Sequence, residues 1–90
     1  MDVKQVREII EKGENQEVEF KESFHSSQDV SKILCSLANT LGGVFLLGVS
    51  DKGEIIGLKG NLDEIQQQVS ASNQSISPVP LISIEVHKLD

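Results

Sequence analysis

Glu17, Glu19 and Lys21 alternate with Val18 and Phe20. Apolar and charged residues that alternate in this way mark a strand with one covered and one open face. Side chains two residues apart on a strand lie about 6 to 7 Å apart at roughly 3.3 Å per residue. Two carboxylates and an ammonium therefore stand in one row. Such a row is either a functional acidic site or a solvated strand face with cross-strand ion pairs, and the residues alone leave both open.

Other polar or permissive residues invite chemistry and resolve more simply. Asn39 falls about 180° from the side of its helix that carries Ile33, Leu37 and Leu41, at roughly 100° per residue, so it is not core. It reaches either a nucleic-acid phosphate or base edge, or the backbone of the following loop. Gly42 and Gly43 follow a helix instead of opening one, so the helix dipole is oriented against anion binding and a C-terminal cap is expected. Gly57-Leu58-Lys59-Gly60 has the outline of a backbone-clamping loop, but it joins a strand to a helix and reads as a turn. Cys35, His25 and His87 are too few for a zinc site and have no third group to make a nucleophile.

Ninety residues suffice for one domain with one small core. The hydrophobic fraction is 38%, with three Phe and neither Trp nor Tyr, so the core must be built of Val, Ile and Leu. Base stacking on aromatic side chains is not the main binding device. The net charge of −6 argues against attraction of phosphate by the whole surface and restricts any basic contact to a local patch. Lys4, Arg7 and Lys12 fall on the first helix, and Lys52 and Lys59 flank the middle of the chain. The single cysteine excludes an internal disulfide and fits a reducing, cytoplasmic setting. The apolar run Val44–Val49 is too short to span a bilayer and no signal peptide is visible, so no membrane partner is expected.

The elements that must position these residues follow from periodicity. Val3, Val6, Ile9 and Ile10 predict a helix over residues 2–12, closed by Gly13. A strand is expected at 16–22. Ser26 is an N-cap, and Val30, Ile33, Leu34, Leu37, Ala38 and Leu41 continue the helix that Gly42 ends. Val44–Val49 has no polar residue on either alternating face, which predicts a strand over 43–50 covered on both sides. Gly48 marks a close approach of another segment. Asp51-Lys52-Gly53 turns the chain into a hairpin partner over 54–58. Asn61 caps a third helix carrying Leu62, Ile65 and Val69, and residues 70–77 read as a polar loop. After Pro78 and Pro80, Ile82, Ile84 and Val86 alternate with polar residues as a last strand. The expected fold class is α+β, a small mixed β-sheet of about four strands with three helices in the order αβαββαβ. The chain stops while still patterned as strand, so residues 1–90 are expected to be a single domain from the N-terminal part of a longer protein.

The order Glu14, Glu19-Phe20-Lys21-Glu22-Ser23, Ala38-Asn39-Thr40-x-Gly42-Gly43, Gly48-Val49-x-Asp51-x-Gly53 and Ile56-Gly57 resembles the Schlafen-type, Alba-like DNA-binding domain. The resemblance covers residues 14–58. It implies an N-terminal module of bacterial and archaeal transcriptional regulators or RecG-like, ATP-dependent helicase relatives, with nucleic acid, DNA before RNA, as the partner. Relatives of this type include metal-dependent RNA endonucleases with an acidic triad beside a lysine. Carried onto this chain, the triad falls on Glu14, Glu19 and Asp51 and the lysine on Lys21. Those nucleases use paired copies of the domain with added basic surface; here there is one acidic copy, which a homodimer would restore to a pair.

Three functions follow as expectations. The first is a nucleic-acid-binding domain using Lys21, Asn39, Lys52 and Lys59, with no cofactor required and further domains C-terminal to it. The second is an endoribonuclease in which Glu14, Glu19 and Asp51 hold magnesium or manganese and Lys21 supports the developing anion. The third is a protein interaction domain that binds no nucleic acid.

Overall fold

The computed structural model describes residues 1–89. Five elements follow one another: α1 (Val3–Lys12), β1 (Val18–Lys21), α2 (Ser27–Ala38), β2 (Val44–Leu47) and α3 (Leu62–Gln74). The fold is α+β with three helices and one two-stranded sheet.

The helix ends are set by local chemistry. Asp2 and Gln5 form a capping box at α1, with Asp2 accepting from the Gln5 backbone N–H and Gln5 accepting from that of Asp2, both at 2.8 Å. Gly13 closes α1 at φ 84°, a value few side chains adopt, and its N–H reaches the Ile9 and Ile10 carbonyls. Ser26 and Asn61 cap α2 and α3 as their positions predict.

β1 and β2 are parallel, in the register Val18 to Val44 through Lys21 to Leu47. Parallel strands need a crossover, which α2 provides. Gly43 lies where they meet. A Cβ there would overlap the Glu17 carbonyl oxygen and come within 2.8 Å of Leu37 Cδ2, so the Glu17 carbonyl can accept the Val44 N–H at 2.7 Å only beside glycine.

The core under this unit is Val6, Ile10, Phe20 and Val49, flanked by Ile9, Val18, Leu46 and Leu89. Phe20 is 0% exposed, so the covered face of β1 is the one its alternation predicts. α2 packs on α3, with Val30, Leu34 and Val69 buried.

The structure departs from the sequence expectation in several places. Two strands form among the described residues, not four. Residues 54–58 make one antiparallel bridge, Val49 to Ile55. Gly48, Gly53 and Gly57 have φ between 82° and 96°, which turns the chain out of the extended conformation before a hairpin can propagate. Gly48 does mark a close approach: its carbonyl accepts the Ile56 and Gly57 N–H groups at 2.8 and 2.9 Å, and a Cβ would lie 3.1 Å from the Gly57 backbone.

Residues 79–89 pair with no strand among the described residues. They are held by side chains: Asn73 Nδ2 donates to the Pro80 carbonyl at 2.8 Å, the amino terminus pairs with Glu85 at 3.5 Å, and Leu89 packs on the core. β2 is half-buried along its length, not covered on both sides, because the sheet is narrow. α2 ends at Ala38 with Asn39 as its cap, so Leu41 falls outside the helix and is fully exposed.

α3 runs into the stretch read as loop. Ser72 and Asn73 are buried; Ser72 Oγ donates back to the Gln68 carbonyl at 2.8 Å, and Ser31 Oγ of α2 donates to the Ser72 carbonyl at 2.9 Å. Hydroxyls fill that interface, which is why a polar stretch continues the helix.

Candidate functional site

The outer edge of β1 begins the site. Alternate backbone groups of a strand point to opposite edges, and here the Glu17 and Lys21 carbonyls face β2, accepting from Val44, Gly48 and Val49. Val18 and Phe20 face the other way. Val18 exchanges backbone hydrogen bonds with Asn15 at 3.1 and 3.3 Å, and the Phe20 N–H donates to Glu14 Oε2 at 3.0 Å. Glu14 thus covers a sheet edge that would otherwise be open. Asn15 sets this up, because its Oδ1 accepts the Glu17 N–H at 2.7 Å and folds the segment before β1 back along the strand.

Glu14 is thereby brought to Glu19. The two carboxyl groups are hydrogen-bonded, with Lys21 and Asp51 close enough to act on the same group. Partial burial pushes the Glu19 carboxyl above its ordinary range, the hydrogen bond from Glu14 and its negative charge push it further, Lys21 opposes the shift, and Asp51 adds to it. Glu19 holds a proton more firmly than an isolated glutamate would.

Asp51 is carried by a turn that Ser50 organises. Ser50 Oγ accepts the Lys52 and Glu54 N–H groups at 3.3 and 3.1 Å, and its carbonyl accepts the Gly53 N–H at 2.9 Å. Ser50 is 7% exposed. It is absent from the sequence expectation, although a serine opening Ser-Asp-Lys-Gly is a side-chain-capped turn signal.

Four of the sequence-derived residues, Glu14, Glu19, Lys21 and Asp51, therefore act within one electrostatic group. The remaining three are not among the groups that act on Glu19. Lys52 and Lys59 are exposed. Asn39 is exposed and its Nδ2 donates to Cys35 Sγ at 3.7 Å, within the end of α2. Cys35 is a free, half-buried thiol.

Residues 14–90 match the family described as Schlafen, AlbA_2. The chain belongs to this family. No curated protein and no solved structure matches it. The family assigns the chain a nucleic-acid-related role at the coarse level. In this Schlafen AlbA_2 domain the all-oxygen donor set of Glu14, Glu19 and Asp51 has the chemistry of a magnesium or manganese site. Its arrangement does not fit one: Glu14 Oε2 is engaged by the Phe20 N–H, and among the described residues no three acidic, histidine or cysteine groups are placed to hold a metal ion. Among the described residues no helix is long and apolar enough to cross a membrane.

Proposed function

We propose that this domain binds nucleic acid, DNA in preference to RNA, as one module of a longer regulator or helicase-like polypeptide. The observation that carries the reading is the family match over residues 14–90. The electrostatics of the site are compatible with it. A chain of net charge −6 meets phosphate only through a local contact, and Lys21 is the cation that stands within the acidic group. Lys21 is then the first cation to engage a phosphate, and the exposed Lys52, Lys59 and Asn39 extend the contact along the backbone.

Fluorescence anisotropy of labelled DNA and RNA of one sequence tests this reading. DNA is expected to bind more tightly, with Lys21→Gln weakening both partners to a similar degree, as a phosphate contact does. Absence of binding to either nucleic acid overturns it. A metal-dependent RNase is not proposed, because Glu14, Glu19 and Asp51 are not placed to share one metal ion.

A further inference from the structure

A groove of about 280 Å³ lies between α2 and the turn that leads into β1, next to the acidic pair. Residues four apart on a helix stand one above the other, so one wall is two rows of α2: Ile33 with Leu37, and Lys32 with Ser36. The facing wall is Asn15, Gln16 and Glu19. The Asn15 Oδ1 is committed to the Glu17 N–H, which leaves its Nδ2 as the donor. Leu37 is fixed from behind, because its Cδ2 lies under Gly43, where a Cβ would come within 2.8 Å.

The lining selects its occupant by charge and size. Lys32 is the one cation in the lining and Glu19 the one carboxylate, so a free phosphate meets a single exposed lysine and no cluster of cationic donors. Two amides and a hydroxyl offer donors and acceptors to a neutral edge, and the Ile33–Leu37 row offers an aliphatic surface to a flat face. The volume lies at the lower end of small-molecule sites, roughly 300 to 1,000 Å³, enough for one nucleoside and too small for an oligomer. A neutral, planar group with a hydrogen-bonding edge is a nucleobase; the Gln16 amide can pair with a base edge in both directions at once, while Asn15 offers its Nδ2 as a donor.

We infer that this groove takes one unstacked nucleobase of a single strand, with Gln16, Asn15 and Ser36 on its edge and Ile33 and Leu37 against its face. The inference rests on the nucleic-acid reading above and adds to it a preference for single-stranded over duplex partners. Lys32, at the rim, meets the phosphate of the same nucleotide. No aromatic side chain lines the groove, so the base is held by its edge and by aliphatic packing instead of by ring stacking.

The 90-residue chain is titrated with a short single-stranded DNA and with the same strand made abasic, which keeps the phosphates and removes the bases. The base-bearing strand is expected to bind about tenfold more tightly. Ser36→Leu, which fills the groove from an exposed position on α2 without adding charge, is expected to erase most of that difference while leaving the helical circular dichroism unchanged. Equal affinity for the two strands, with salt-dependent binding intact, overturns the groove and leaves the nucleic-acid reading standing. Absence of binding to every strand overturns both.

Discussion

Glu19 shows how far a single residue can be read in advance. Its place on the open face of β1 and its company with Lys21 follow from the alternation of Val18 and Phe20. Its contact with Glu14 does not, because it depends on a carboxylate that covers the backbone of Phe20 six residues away, and no periodicity records that. Asp51 was legible only through the family resemblance, and Ser50, which holds its turn, sits at the end of an apolar run whose strand pattern masks the serine's turn signal. The raised Glu19 carboxyl has a consequence for stability. The folded chain binds that proton more tightly than the unfolded chain, so the contribution is complete below the ordinary glutamate value and is lost as pH rises through the raised one. Glu19→Gln keeps a hydrogen-bonding side chain and removes the titration. Melting temperatures of the two proteins followed from about pH 4 to pH 7 are expected to diverge in favour of Glu19→Gln as pH rises. A constant difference contradicts the raised Glu19 carboxyl.

At the scale of elements, caps and helices were legible and ladders were not. Gly13, Ser26 and Asn61 act where their types predict, since capping needs only neighbours in sequence. Residues 54–58 and 82–86 have strand-like side chains, yet a ladder also needs a backbone partner. Gly48, Gly53 and Gly57 bend the chain away from one, and residues 79–89 are tied down by Asn73, Glu85 and Leu89 instead. The last turn of α3 was hidden because Ser72 and Asn73, polar residues, fill its interface. The β1–β2 pairing rests on Gly43. Gly43→Ala forces a methyl against the Glu17 carbonyl and is expected to cost about 1–3 kcal/mol in urea unfolding. Gly13→Ala meets no neighbour and strains only the backbone at φ 84° and ψ 180°, for which about 1–3 kcal/mol is expected, whereas Gly43→Ala alone disturbs the Glu17 carbonyl contact and with it the β1–β2 pairing. A Gly43→Ala protein whose urea midpoint matches the wild type contradicts the described contact at Gly43.

The whole molecule has a radius of gyration of 12.4 Å, against roughly 12 Å for a compact chain of this length. Its small core gathers on Phe20, and Phe20→Ala is expected to cost about 3–5 kcal/mol, a large share of the roughly 5–15 kcal/mol that stabilises a domain. A urea midpoint left within error of the wild type contradicts that core. The same smallness, with net charge −6, leaves the proposed nucleic-acid contact one local surface around Lys21, and this proposal is the central claim. The salt dependence of DNA affinity between about 50 and 200 mM tests it most directly. Affinity is expected to fall steadily with salt, with a logarithmic slope that Lys21→Gln reduces by about one. A flat response, or a slope that Lys21→Gln leaves unchanged, contradicts the account.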